Sequence, residues 1–192
     1  MTLKHAIRNM SAAALLASAC FVAGSQAAAQ SGPDTEEIDR LFEELAKPEQ
    51  PGWQQIEEAI ALEWSKSGSA SMDLLLQRGR EALTEGEFET ALEHLTALTD
   101  HAPDFAEAWN SRATVFFRME LYGLALDDIS RALALEPRHF GAMIGLATIL
   151  RELEMEEEAL EVLRRTQELH PHRPTVKEGI EALSSRLEGE AL

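Results

Sequence analysis

Cysteine is nearly absent: Cys20 is the single one in 192 residues. That count excludes a disulfide framework and a cysteine-based metal site. Aromatic residues make up only 6%, with one tyrosine, while glycine and proline number 11 and 7. Long low-complexity stretches are excluded as well. Positive charge is scarce, with 17 lysine and arginine residues against 34 aspartate and glutamate and a net charge of −17. A surface this acidic repels phosphate backbones and anionic lipid, which argues against nucleic acid and membrane surfaces as partners. It favours basic protein surfaces instead.

Signatures of catalysis are missing too. The chain has no G-x-S-x-G, no H-E-x-x-H, no phosphate-cradling glycine loop and no EF-hand loop. No catalytic residue, metal or cofactor is expected. Only a buried cluster of His139 with carboxylates would speak for an enzyme. His170 and His172 flank Pro171 and read as a surface turn, because a two-residue spacing is poor for metal ligation. The acidic run Glu154 to Glu158 suits the start of a helix, where the dipole favours negative charge.

What the chain does contain is order. Lys4 and Arg8 are the only charged side chains before Asp34, and an apolar run follows from Ala12 to Ala23. Gly24 to Ala29 then supply small residues. A basic start, a short apolar core and an A-x-A site describe a signal peptide over 1–29, cleaved after Ala29. The run is too short to span a bilayer, which takes about 20 residues. Retention as an anchor and lipidation at Cys20, after Leu16-Ala17-Ser18-Ala19, are the alternatives. Cleavage would leave the mature chain without cysteine, periplasmic or secreted, and held together by packing alone.

The strongest feature is a repeat. Five columns recur every 34 residues: Pro103, Pro137 and Pro171; Ala91, Ala125 and Ala159; Gly79, Ala113 and Ala147; Leu75, Trp109 and Met143; Leu95, Ile129 and Leu163. Each unit predicts two amphipathic helices, 72–85 with 88–101, 106–119 with 122–135, and 140–153 with 156–169. The small residues allow close approach and the large ones fill the space between units. Each proline ends a helix and turns the chain into the next unit. One unit cannot bury its apolar face, whereas a stack can.

Behind the repeats, Val176, Ile180, Leu183 and Leu187 mark a capping helix that starts near Pro174. Ahead of them, Ile38, Leu41, Phe42 and Leu45 form one helical stripe, and Trp53, Ile56, Ile60 and Trp64 form another, with Pro48 to Gly52 between. Ser65 to Ser71 read as a loop, with Ser71 as an N-cap. The pair is expected to be a degenerate unit in front of the first repeat. Its two tryptophans suit packing, or alternatively docking of a partner. The division is thus 1–29, 30–71, three units over 72–171 (72–105, 106–139 and 140–171), and a cap with tail over 172–192.

These residues resemble the tetratricopeptide repeat family. The second unit matches best, through Trp109, Ala113, Phe116, Tyr122, Ala125, Ile129, Ala132 and Pro137. Departures are Arg78 and Arg112 where the family has leucine, with Leu146 conforming, and Leu98 and Thr166 in place of an alanine. The two arginines are expected to pack their stems and turn their heads to solvent or to Asp127 or Asp128. The resemblance implies an all-α, right-handed superhelical solenoid whose first helices line a groove for a peptide or a partner helix. The groove would be lined by Leu76, Arg80, Leu83, Thr84, Asn110, Thr114, Phe117, Arg118, Ile144, Thr148, Arg151 and Glu152. Three arginines there would attract carboxylates, or else pair with Glu81, Glu107, Glu152 or Glu154. The clamp that some members use for C-terminal carboxylates lacks its lysines here. Glu136 to Gly141 is a second candidate surface, with Phe140 packed and Arg138 and His139 exposed at the rim. The expected role is a protein-binding scaffold; self-association as a homo-oligomer is the alternative.

Overall fold

The computed structural model describes residues 32–190. The expected leader and Cys20 lie outside them. Among the described residues there are nine helices and no strand: α1 (Thr35–Leu45), α2 (Trp53–Trp64), α3 (Ala70–Glu85), α4 (Phe88–His101), α5 (Ala106–Arg118), α6 (Tyr122–Leu135), α7 (Phe140–Glu152), α8 (Glu156–Leu169) and α9 (Pro174–Glu190). None of them is long and apolar enough to cross a membrane.

The helices pair as α3 with α4, α5 with α6, and α7 with α8, and α9 packs on α8. The column of small residues explains the pairing. A Cβ on Gly79 would meet Leu95 Cγ at 2.5 Å, so only glycine lets α3 and α4 approach this closely. Ala113 and Ala147 hold the same place in the next two units and are buried. Leu95, Ile129 and Leu163 each sit in the apolar cluster of their own unit. Val176 and Leu183 of α9 close the last cluster, covering the edge that α8 would otherwise expose.

Turns inside the units share one conformation. Gly86 has φ +80, and Glu120 and Glu154, one period apart, have φ 60 and 61. The left-handed region suits glycine; the two glutamates adopt it against a steric penalty.

Two local expectations change. The first repeat helix starts at Ala70, with Ser69 rather than Ser71 in the N-cap position. Asp73 instead accepts hydrogen bonds from the Ser67 N–H and hydroxyl, which tightens the loop before α3. The larger change concerns α1 and α2. They form an antiparallel hairpin, but not one stacked ahead of the first unit. The pair folds back along the connections between units, and its core side chains meet Phe140 and Leu169 of the third unit. Arg138 donates to Asp39 at 2.7 Å, His170 to Glu57 at 2.7 Å, and His172 to the Lys47 carbonyl at 2.8 Å. The cause is chemical. The hairpin's apolar stripe ends in Trp64, and a matching set of rings stands at the start of α7, not beside α3.

Candidate partner-binding site

First helices of neighbouring units touch one another, α3 on α5 and α5 on α7. They therefore form the inner, concave layer of the stack. Between α5 and α7 this layer opens into a cleft of about 230 Å³. Its walls are Asn110, Thr114 and Phe117 on one side and Ile144 and Thr148 on the other, with Ile129 and Ile149 at its floor. Gly141 and Gly145 make the room. A Cβ on Gly145 would stand 3.5 Å from Ile129 Cδ1, in ordinary contact, so a side chain there would fill the cleft. Arg118 and Arg151 are exposed at the ends of α5 and α7, and Arg118 lies over the Phe88 ring at 5.7 Å.

Of the expected groove residues, Thr114, Phe117, Ile144, Thr148 and Asn110 thus come together. Thr84, Thr114 and Thr148 each donate their hydroxyl to the carbonyl one turn back, which leaves their methyl groups to face outward contacts. Phe117 is half-buried against Tyr122, 5.9 Å between ring centroids. Leu83 is half-buried on the first apolar cluster, and Glu152 is exposed. Leu76, at 2% exposure, belongs mainly to the first unit's core and also lines a second crevice of about 440 Å³ on α3, beside Arg80 and Thr84.

Arg80 keeps 43% of its side chain exposed in that crevice, but its guanidinium is held by protein partners. It donates to Glu107 of the next unit and to Ser65 Oγ at 3.0 Å. Glu107 is the hub of a polar junction. Its carboxylate also accepts from Ser111 Oγ at 2.9 Å, from Asn110 Nδ2 at 3.2 Å and from His139 Nε2 at 2.7 Å. Burial by itself would raise this carboxyl. The hydrogen bond from His139, together with the charge and hydrogen bond of Arg80, outweighs it and holds Glu107 at about 2. One buried acid thereby joins all three units.

His139 is not exposed at the rim; it is 2% exposed. Its Nδ1 accepts the Ala142 N–H as the cap of α7, at 3.1 Å. Nε2 must then carry the proton donated to Glu107. Trp64 stacks on the ring at 4.3 Å with 13° between planes. The buried histidine–carboxylate pair exists, but both ring nitrogens are spent on protein partners, so neither is placed to move a substrate proton. His170 likewise is no surface residue: it is 0% exposed, with Trp53 and Phe140 edge-on at 5.4 and 5.3 Å. The Trp53 and Trp64 rings are packing groups. Arg112 meets Asp128 through two bonds of 2.8 Å and covers the Trp109 ring at 5.0 Å, as its expected packing role requires.

The sequence offered Glu107 as a partner for the groove arginines and His139 in a buried cluster with carboxylates, but it did not bring the two together, because the partners lie 27 and 32 residues away. A signal was available. Both interrupt the repeat, since the positions matching Glu107 hold Asp73 and Gly141, and those matching His139 hold Phe105 and Arg173.

A stack of two-helix units with a concave inner layer and a ligand-sized cleft defines a helical-repeat protein of the binding class. The family model described as tetratricopeptide repeat matches residues 76–128 and 112–174. The chain belongs to the tetratricopeptide repeat family. It is 36% identical over 162 residues to a TPR repeat-containing protein of Rhizobium etli, spanning 84% of this chain and 79% of the relative. Similarity to sperm-associated antigen 1 of Rattus norvegicus is 28% over 110 residues, and covers 57% of this chain but only 12% of that protein. Among solved structures, the first TPR of Spaghetti (RPAP3) bound to the HSP90 peptide SRMEEVD superposes with a TM-score of 0.60 at 23% identity, over 62% of this chain and 95% of that one. At that identity the likeness concerns the fold.

Proposed function

We propose that this protein is a non-enzymatic scaffold of the periplasm that holds a peptide or a partner helix in the concave layer. The observation that carries this reading is the cleft between α5 and α7, apolar at its floor and opened by Gly141 and Gly145. It is wide enough for one apolar side chain of a partner. Arg118 and Arg151 are exposed at the ends of α5 and α7, the helices that wall the cleft, and would receive an acidic group of the same partner. The peptide held by the first TPR of Spaghetti (RPAP3), which contains Glu-Glu-Val-Asp, supports an acidic partner of this kind. The lysines of a carboxylate clamp are missing here, so the attachment would differ in detail.

Periplasmic location rests on the order of residues 1–29. Mass spectrometry of the mature N-terminus tests it: Gln30 as first residue supports release into the periplasm, a modified Cys20 supports an envelope lipoprotein, and an intact leader refutes both. Partner binding is tested by capture from envelope extract with the parent and with Gly145→Leu. Loss of the captured protein with the filled cleft is expected. Retention of everything by Gly145→Leu would refute the cleft.

A second reading is self-association. Leu121, Leu124, Leu153 and Met155 are each about two-fifths exposed or more, on the edge formed by the turns inside units. Light scattering that reports a monomer at high concentration would count against it.

A further inference from the structure

The hairpin α1–α2 is joined to the repeats in a different way from that in which the repeats are joined to one another. Its apolar cluster consists mostly of its own side chains; the repeats add Phe140 and the half-buried Leu169. What remains of the contact is polar or ring against ring, and it gathers at two points on α2. At one, Trp64 lies flat on His139. At the other, Glu57 accepts from His170 at 2.7 Å and pairs with Arg173 at 3.1 Å. Between them, Arg138 reaches Asp39 of α1 and covers the Phe42 ring at 4.8 Å.

The seam is imperfectly closed. Among the described residues, the buried Trp64 Nε1 and His170 Nδ1 have no hydrogen-bond partner. A crevice of about 520 Å³ runs between Ile38 and Trp64 of the hairpin and the α4–α5 connection at Pro103 and Phe105. A seam of ion pairs and ring contacts that leaves one buried donor and one buried acceptor unpaired has the character of a contact between separable modules. The covered edge also brings Arg138 and Arg173 beside His170 and His172.

We infer that the edge formed by the inter-unit connections is a helix-docking surface which the chain fills with its own hairpin, and that the outside partner it fits is an amphipathic helix carrying a carboxylate and an aromatic ring seven residues apart. Seven residues span about two helical turns, which keeps both groups on one face. Glu57 and Trp64 have this spacing, and they reach Arg173 with His170 and the His139 ring respectively. A partner helix of the same pattern would meet the same guanidinium, imidazole N–H and flat ring. The surface is separate from the α5–α7 cleft, so the inference stands or falls apart from the peptide-binding reading.

The test uses the full chain. Glu57→Gln with Trp64→Ala weakens the hairpin in place and leaves the docking edge untouched. A fluorescent peptide of residues 33–66 serves as the probe. It is expected to bind the double variant at least tenfold more tightly than the parent, whose own hairpin competes, and a probe bearing the same two substitutions is expected not to bind. Equal or absent binding to both proteins, with the variant's helicity intact, overturns the inference. Hydrogen exchange on the parent gives a second reading that needs no variant. Amides of α2 should exchange through an opening that leaves α5 and α6 protected. Exchange of α2 only together with α5 and α6 would make the hairpin an inseparable part of the fold and sink the proposal.

Discussion

The imidazole of His139 lies nearly parallel on the indole of Trp64, 4.3 Å between centroids, while its two nitrogens serve two other elements. One ring thus caps α7, joins the second unit to the third through Glu107, and seats the hairpin. His139→Ala should remove all three contacts and lower stability by about 2–4 kcal/mol, the sum of a lost cap and an exposed buried carboxylate. His139→Asn keeps a capping group and should lose less. Urea unfolding of the two variants checks the order, and equal losses would show that the cap contributes little.

Glu107 makes the junction sensitive to acid. Its folded value of about 2 lies below the ordinary 4.5. The stability it contributes is therefore complete above the ordinary value and is lost as pH falls toward 2. The amount is on the order of 3 kcal/mol. Glu57, lowered chiefly by its hydrogen bond from His170 and also by Arg173, acts in the same direction. Thermal melts between about pH 5 and 2 should fall steeply for the parent, and Glu107→Gln should flatten that slope while lowering stability at neutral pH. An unchanged slope would remove Glu107 from this role.

Turns inside the units offer a paired test of opposite sign. Glu154 adopts φ 61 where the first unit has Gly86 at φ 80. Glu154→Gly should raise stability by about 0.5 kcal/mol, relief of left-handed strain being partly offset by the entropy of the unfolded glycine. Gly86→Ala should lower it by about 1 kcal/mol. Differential scanning calorimetry would resolve both, and shifts of the same sign would contradict the account.

Arg112 and Asp128 form the best-made ion pair of the second unit, with side chains 15% and 5% exposed. Arg112→Leu restores the residue the family usually carries but strands a buried carboxylate, and should cost about 3 kcal/mol. Adding Asp128→Ala should recover most of that loss. A double-mutant cycle from denaturant melts measures the coupling. Simple additivity would mean that the pair contributes no interaction of its own.

The repeats were legible in the sequence because their packing is periodic. Leu95, Ile129 and Leu163 do the same work in each unit, so the column announces the contact. All six repeat helices begin and end within two residues of their expected bounds. The hairpin's position was not legible, although its two helices were. Its seat is made of His139, Phe140 and His170, which occur once each and touch residues about a hundred positions away. The candidate groove was half legible. Thr114, Phe117, Ile144 and Thr148 line the cleft as the family pattern implies. Leu76, Arg80 and Thr84 line a separate crevice on α3, where Arg80 is also held by Glu107.

The hairpin's return across the stack also sets an order of assembly. Its anchors join residues 99, 113 and 125 positions apart, whereas each repeat closes on near neighbours. Local units can form as soon as their own two helices exist, but a long loop must close before the hairpin finds its seat. The segment synthesised ahead of every repeat is therefore the last to be placed. Until the third unit is complete, Phe42 and Trp64 lack the Phe140 and His139 rings that cover them, and that interval is when this acidic chain is most open to a chaperone or a protease.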